Sequence, residues 1–141
     1  MTESCYSCRL RYISSFIDEP QKWACSCTKR DLTDRLNTID EECPFNKDIY
    51  VIGIKHKGKY EFLRPRNEGN LYLFWPQDDD VNIDEPDEKT RDFVKFLMFF
   101  TDEKDAQDYI DKHRNKDRRN RMEQAFVVNI AGRKYEKRKG V

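Results

Sequence analysis

All cysteines of this chain lie in its first third, and that segregation constrains the fold more than any other feature. They are Cys5, Cys8, Cys25, Cys27 and Cys43. A first pair, a later close pair and one further cysteine form the spacing of a small metal site whose ligands converge from a knuckle, a strand and a loop. We therefore predict that a bound metal holds the N-terminal region together.

The length and composition favour a small metal-stapled module followed by a compact domain. The chain has 141 residues, of which 37% are hydrophobic and 38% are charged. A core built from so few apolar side chains is small, and a metal staple supplies stability that such a core lacks. We place a cysteine-rich zinc-binding module at residues 1–47 and a second domain at residues 48–141.

The sequence predicts a cytoplasmic protein without a membrane span. No apolar run reaches the roughly 18 residues that a transmembrane helix needs, and the N-terminus lacks the basic and then apolar pattern of a secretory signal. Without an export signal the expected compartment is reducing. Disulfides are rare there, and clustered thiols more often hold metal.

The segment after the first two cysteines predicts a β-hairpin. Residues 11–17 and 21–27 are short β-rich runs separated by turn residues at 18–20. A hairpin beside a cysteine knuckle is the core of a zinc ribbon. Along the second strand Cys25 and Cys27 fall at period two, so both thiols point to one face and either can meet the knuckle.

Apolar residues between Thr28 and Glu42 predict a short amphipathic helix. Leu32, Leu36 and Ile39 recur at helical spacing, and Thr28 is placed to cap. This helix would return the chain to the last cysteine and so close the metal site.

Four thiolates complete a tetrahedral zinc site, so one of the five cysteines is spare. We predict ligation by Cys5, Cys8, Cys25 and Cys43, with Cys27 as the substitute for Cys25. A closed site has no open position at which to activate water, so this zinc would be structural.

Three other readings of the cysteines remain. An iron–sulfur cluster uses the same four thiolates, and spacing alone does not separate it from zinc. The second alternative is that the cysteines are ordinary buried or free thiols. The third is that Cys5 and Cys8 form a redox pair. A redox pair normally begins a helix that follows a strand, and no strand precedes this one.

Three β-rich runs after the cysteine module predict an antiparallel meander. They span residues 49–54, 59–63 and 71–75, with turn residues at 57–58 and 67–70 between them. On the third strand large apolar side chains alternate on both faces. At least one face of this sheet must therefore be covered.

The last third predicts one principal helix and a final strand. Residues 93–100 fit either a buried strand, which we favour, or the end of a helix beginning after Pro86. Thr101 is a capping residue followed by acidic residues in a first helical turn, and 125–130 is the last β-rich run. The predicted fold class is α+β, a zinc-ribbon-like module followed by a small, mostly antiparallel sheet with one principal helix.

The zero net charge conceals two segments of opposite charge. Residues 78–88 form an acidic loop without a basic residue, and the C-terminal region is a basic tail. Such tracts are usually solvated, and some serve as interaction segments. The predicted partner-binding carboxylates are those of Asp78, Asp79, Asp80, Asp84 and Glu85.

No catalytic signature accompanies these features. His56 lies in a turn between lysines and His113 ends the apolar stripe of a helix, and neither has a cysteine or serine partner recognisable from local sequence. The chain has no phosphate-binding loop, dinucleotide fingerprint or nucleophile elbow. The sequence therefore predicts a binding protein rather than an enzyme, without a small-molecule substrate or a membrane partner.

Two binding functions fit this composition. The first is a regulator that contacts a host or self protein, with the two-ended charge setting orientation and encounter rate. The alternative is nucleic-acid binding by a basic and aromatic meander. Its basic residues would be Lys55, Lys57, Lys59, Arg64, Arg66, Arg118, Arg119 and Arg121, and its stacking faces Tyr60, Phe62, Tyr72 and Phe74.

Three short motifs carry the cysteines, namely Cys5-Tyr-Ser-Cys8, Trp23-Ala-Cys25-Ser-Cys27 and Cys43-Pro-Phe45. They resemble those of small four-cysteine zinc-ribbon and zinc-knuckle proteins of phage and mobile-element genomes, over about 45 residues. Such proteins are commonly accessory or host-interaction factors, so the resemblance implies a non-enzymatic regulator of viral origin in the host cytoplasm. The chain departs from the pattern by its fifth cysteine and its long C-terminal domain.

Overall fold

The chain forms two compact units. A computed structural model describes residues 4, 8, 10–14, 22–33, 36, 38–68, 71–114 and 121–133, with the backbone alone at 14, 66–68 and 71. Unit 1 comprises Met1–Asn46 together with Arg133–Val141, and unit 2 comprises Lys47–Gly132. Unit 1 therefore draws on both ends of the chain.

Unit 1 contains the hairpin that the sequence predicts. Strands β1 (Arg11–Ser14) and β2 (Lys22–Cys25) pair antiparallel, with Arg11 opposite Cys25. Strand β2 ends at Cys25, two residues before the end of the run that predicted it, and residues 15–17 and 21 of the predicted strands lie outside the described residues. The predicted turn at 18–20 lies outside the described residues.

The helix predicted between Thr28 and Glu42 is wrong for the described part of that segment. The chain turns after β2 and runs back beside it, so that Asp31 forms an antiparallel bridge with Ala24. The Leu32 N–H then donates to the carbonyl oxygen of Trp23 at 2.7 Å. The segment therefore extends the hairpin instead of forming a helix.

Local hydrogen bonds explain why the helical spacing fails here. The Thr28 hydroxyl accepts from the Arg30 N–H at 3.3 Å, and the Asp31 carboxylate accepts from the Thr33 N–H at 2.9 Å. Such turns compete with helix formation for the same backbone donors. Leu32, only 1% exposed, packs on Cys25 in a small core rather than on an amphipathic helix.

Unit 2 is an α+β domain built on a five-stranded antiparallel sheet. The predicted meander is confirmed, and its middle and outer strands are longer than expected. Strand β3 pairs with β4, β6 and β7, and β4 pairs in turn with β5. The strands are β3 (Ile49–His56), β4 (Lys59–Glu68), β5 (Leu71–Pro76), β6 (Phe99–Phe100) and β7 (Phe126–Ile130).

The described part of unit 2 contains two α-helices rather than one principal helix. They are α1 (Glu88–Val94) and α2 (Glu103–His113). An aspartate side chain caps each helix, and at α2 this is Asp102 rather than the predicted Thr101. Among the described residues no helix is long and apolar enough to cross a membrane.

The strand predicted over residues 93–100 is wrong except at Phe99–Phe100. Its first two residues end α1 instead. Counting from Thr90, the buried positions recur at helical spacing through Phe93, Val94 and Leu97. This helical period begins at Thr90, before the apolar run at residues 93–100. The apolar run alone therefore does not reveal the helical period and resembles a strand.

The two helices cover opposite faces of the sheet. Phe62 and Leu63 are neighbours on β4, so their side chains point to opposite faces. Leu63 joins a core cluster with Ile110 of α2, whereas the Phe62 ring meets that of Phe93 of α1 edge-on at 6.0 Å. Because both faces are covered, β3 is buried at consecutive positions from Val51.

The two ends of unit 2 meet at Gly132. Its N–H donates to the Asp48 carboxylate at 2.9 Å. A Cβ atom added to Gly132 would lie 2.2 Å from the carbonyl carbon of Lys47. Only glycine permits this close approach of two backbones.

The substitution Gly132→Ala should destabilise unit 2 by about 1–3 kcal/mol, the usual cost of forcing extra volume into a packed site. Chemical denaturation of the full chain measures this change in the free energy of unfolding. Ala131→Ser, at the adjacent exposed position, is the matched control and should leave it unchanged. Equal stability of the two variants would contradict this account of Gly132.

Candidate metal centre and acidic cavity

The described cysteines of unit 1 form no disulfide, and their exposures differ. Cys25 is buried, Cys8 and Cys43 are half-buried, and Cys27 is exposed. Cys5, the first predicted ligand, lies outside the described residues. The structure therefore describes four of the five cysteines.

The pKa of the Cys27 thiol is affected by the other three described cysteines. Partial burial raises the pKa of the Cys27 thiol, and Cys25, Cys43 and Cys8 raise that pKa further because thiolates repel one another. Lys29 acts in the opposite direction. A cation bound among these sulfurs would relieve their repulsion.

The turn after β2 separates Cys25 from Cys27. Strand β2 ends at Cys25, so Cys27 lies in the turn and not on the strand as the period-two spacing predicted. The Thr28 N–H lies 3.5 Å from the Cys25 sulfur, and the Lys29 N–H donates to the Cys25 carbonyl oxygen at 2.8 Å. Lys29 has a positive φ of 62°, which completes this tight turn.

Cys43 is contacted from the C-terminal segment of unit 1. The Arg133 guanidinium donates to the Cys43 sulfur at 2.9 Å, and its N–H donates to the Phe45 carbonyl oxygen at 2.8 Å. A cationic donor of this kind stabilises negative charge on sulfur. Residues far apart in the sequence thus meet at the last cysteine.

Asp40 fixes the loop that leads to Cys43. Its side chain is buried and pairs with the Arg30 guanidinium at 3.2 Å. Its carbonyl oxygen accepts from the Cys43 N–H and from the Asn46 side-chain amide, each at 3.0 Å. These bonds set the position of the Cys43 backbone.

The donor chemistry fits zinc, whereas the described geometry does not form a finished site. Thiolates are the usual ligands of structural zinc. Within the described ranges, no group of three or more His, Cys, Asp or Glu side chains is arranged to hold a metal ion. The predicted zinc ligands therefore stay a prediction.

The acidic loop of unit 2 is anchored by its own backbone. Val81 is 6% exposed, and its N–H donates to the Asp78 carbonyl oxygen at 3.0 Å. The Gln77 side chain donates to the Val81 carbonyl oxygen at 2.8 Å. One apolar residue within the acidic run thus fastens the loop to the domain.

Thr90 of α1 fastens the second part of the loop. It is fully buried, and its hydroxyl lies 3.3 Å from the Asn82 carbonyl oxygen and 3.0 Å from an Asp87 carboxylate oxygen. The Thr90 N–H also donates to Asp87 at 2.9 Å. These two bonds hold the pKa of Asp87 below its usual value.

A cavity opens between the acidic loop, β5 and α1. Its volume is about 350 Å³. Trp75, which is 43% exposed, forms part of its wall. The lining residues are Trp75, Asp78, Asp80, Val81, Lys89, Asp92, Phe93 and Phe96.

The cavity divides the predicted partner-binding residues into two sets. Asp78 and Asp80 line it, whereas Asp79, Asp84 and Glu85 are exposed elsewhere on the loop. The aromatic walls were missed because residues 93–100 were interpreted as a strand. If a helix is counted from Thr90, Phe93 and the residues three or four positions from it lie on one face of that helix.

The predicted nucleic-acid residues are spread over unit 2. Lys55, Lys57 and Lys59 are exposed around the β3–β4 turn. Arg64 instead stacks on the Trp75 ring, with its guanidinium carbon 3.4 Å from the ring centroid. The side chain of Arg66 and the whole of Arg118 and Arg119 lie outside the described residues.

Other contacts engage the remaining residues of that set. Arg121 donates to the Glu61 carboxylate at 2.7 Å. Phe62 and Phe74 are buried in the core and offer no stacking face to a nucleic acid. The Tyr72 hydroxyl lies 2.8 Å from Nδ1 of His113. Tyr72, a further predicted stacking residue, thus packs within the domain.

The two histidines differ as the sequence indicates. His56 is exposed at the end of β3. His113 is half-buried, and its ring lies 4.2 Å from that of Tyr109, measured between centroids. His113 therefore packs against Tyr109 and Tyr72 within unit 2.

Comparison with protein-family models gave no match, and no curated protein or solved structure matched the chain at a significant level. Shared ancestry therefore offers no guide to function. The thiols of unit 1 and the cavity of unit 2 are the features of the chain that bear on its function.

Asp87→Ala should lower the melting temperature of the full chain at neutral pH, because it removes the cap of α1. Since folding lowers the pKa of Asp87, its contribution is present above the unfolded pKa of about 3.9 and is lost as pH falls through the folded value. The difference from the unsubstituted chain should therefore shrink in acid.

Asp84→Ala is the matched control for this prediction. It removes the same charge from the same exposed loop without touching the α1 cap. Thermal melts of both variants between neutral and acidic pH separate the two effects. If both variants melt alike at neutral pH, the cap makes no measurable contribution.

Proposed function

We propose that this chain is a non-enzymatic binding protein whose unit 2 docks onto a basic partner protein through the acidic loop, while zinc stabilises unit 1. One observation carries the docking proposal. Asp78 and Asp80 stand beside the exposed ring of Trp75 in one cavity. An aromatic ring next to carboxylates favours a cationic ligand.

The charges around the cavity support a protein partner over nucleic acid. Asp79, Asp84 and Glu85 add exposed negative charge to the same loop. Phosphate groups are repelled by such a surface and attracted by clustered cations. Nucleic-acid binding stays the alternative function because the lysines of the β3–β4 turn are exposed.

Zinc binding by unit 1 is supported by its donors. In addition to burial, Cys25, Cys43 and Cys8 each raise the pKa of the Cys27 thiol, and Thr28 and Arg133 direct N–H donors at the sulfurs of Cys25 and Cys43. Outer donors of this kind stabilise metal-bound ligands. We infer a zinc-ribbon-like module with the ligands Cys5, Cys8, Cys25 and Cys43 and with Cys27 as the substitute for Cys25.

Cys8→Ser should release the zinc and destabilise unit 1, because a structural metal contributes its binding free energy to folding. Native mass spectrometry of chain purified without added metal counts the bound ions and distinguishes zinc from an iron–sulfur cluster by mass. We expect one zinc per chain before the substitution and a lower content after it.

Ser26→Ala is the control for the zinc experiment, since it alters an exposed side chain between two cysteines and leaves every thiol in place. Comparing Cys25→Ser with Cys27→Ser identifies which of the two ligates. An unchanged metal content and melting profile for Cys8→Ser would refute the zinc site.

Neutralising the loop carboxylates should weaken docking to a basic peptide. The variant replaces Asp78, Asp79, Asp80 and Asp84 by Asn and Glu85 by Gln. Fluorescence anisotropy with a labelled peptide of alternating arginine and glycine measures the affinity. We expect a loss of about tenfold or more, because each exposed ion pair contributes roughly 0.2–1 kcal/mol.

A variant with Lys55, Lys57 and Lys59 replaced by Gln is the control. It should bind the peptide at least as tightly as the unsubstituted chain. A labelled single-stranded oligonucleotide tests the alternative in the same assay. Salt-sensitive oligonucleotide binding that this lysine variant loses, without peptide binding, would replace docking by nucleic-acid binding as the function.

A further inference from the structure

We propose that the cavity beside Trp75 receives a single arginine side chain of the partner, an inference that rests on the docking function proposed above and specifies its ligand. The cavity volume of about 350 Å³ lies near the lower end of the roughly 300–1,000 Å³ of small-molecule pockets. That space suits one long side chain and excludes a folded segment.

The walls of the cavity suit a flat group. Trp75 pairs across the sheet with Phe62, whose ring contacts Phe93, so Trp75 lies on the face that α1 covers. Phe93 and Phe96 line the cavity with Trp75. Aromatic faces of this kind attract a planar cation through dispersion and the ring quadrupole.

More carboxylates than cations line the cavity, and the Arg64 guanidinium stacked on Trp75 adds a positive charge beside it. Asp78, Asp80 and Asp92 line it together with one cation, Lys89. Asp92 is paired with Lys95 at 3.4 Å. Within the described part of the chain, no ion pair or side-chain hydrogen bond engages the carboxylates of Asp78 and Asp80, which are therefore available to a ligand.

The environment of Trp75 favours a guanidinium over an ammonium group. Arg64 of the same chain already stacks on this ring at 3.4 Å. Arg64 does not line the cavity, so part of the Trp75 surface remains for a second cation. A guanidinium is planar, less strongly hydrated than ammonium and able to bind a carboxylate through two parallel hydrogen bonds.

The decisive experiment titrates the full chain with three N-acetylated, amidated amino acids: arginine, lysine and citrulline. Citrulline keeps the shape of arginine and lacks its charge. Isothermal titration calorimetry measures each affinity. Trp75 fluorescence gives a second readout in a Trp23→Phe background, because the chain has only 2 tryptophans. We expect the arginine derivative to bind about tenfold tighter than citrulline and measurably tighter than lysine.

Variants of the rim test the position of the ligand. Asp78→Asn with Asp80→Asn should weaken the arginine derivative by about 2- to 20-fold, and Lys89→Gln should strengthen it by about 2- to 5-fold. Asp108→Asn with Glu123→Gln removes the same charge from exposed positions away from the cavity. This control should change the affinity by less than about twofold.

Two outcomes would overturn the proposal. One is equal binding of the arginine and citrulline derivatives. The other is a rim variant that weakens binding no more than its control. If either occurs while the five-carboxylate variant still loses the basic peptide, docking stands and the arginine pocket is wrong. If the unsubstituted chain binds neither probe, both proposals fail.

Discussion

The burial of β3 on both faces is the constraint on which unit 2 depends. Val51, Ile52 and Ile54 are each at most 1% exposed, and fully burying such side chains contributes roughly 1.5–3 kcal/mol apiece. A strand that is apolar on both sides needs a covering layer on each, which α2 and α1 provide. The α1 layer also shapes the cavity, because its contact with Phe62 sets the helix beside Trp75.

The charged residues of the acidic loop are held in place by buried contacts. An acidic run without an anchor is a solvated segment whose charges have no fixed arrangement. Here Val81 is buried and Thr90 bonds the loop to α1, so Asp78 and Asp80 are held against the aromatic walls. Unit 1 is similar in this respect, because the buried Asp40 accepts a hydrogen bond from the Cys43 backbone and so positions it. In both units a few buried contacts fix functional groups that are themselves at or near the surface.

The elements that sequence reasoning found are those with a clear local signal. Alternating β-rich runs and turn residues predicted the β1–β2 hairpin and the meander, and acidic first turns predicted α2. The segment at 28–42 failed because three apolar residues at helical spacing are a weaker signal than side-chain turns and pairing with β2. Residues 93–100 failed because a short apolar run has no decisive period, and its helical register starts at Thr90.

The sequence by itself determined the chemistry available to this protein: clustered thiols near the N-terminus, an acidic loop, and no recognisable catalytic set. It also identified five candidate loop carboxylates. Only the tertiary structure decided that Asp78 and Asp80 line a cavity with Trp75 and Phe93, and that Arg133 reaches Cys43. The physical reason is that local propensity acts over a few residues, whereas a cavity wall or a guanidinium–sulfur contact joins segments that only the packed core brings together.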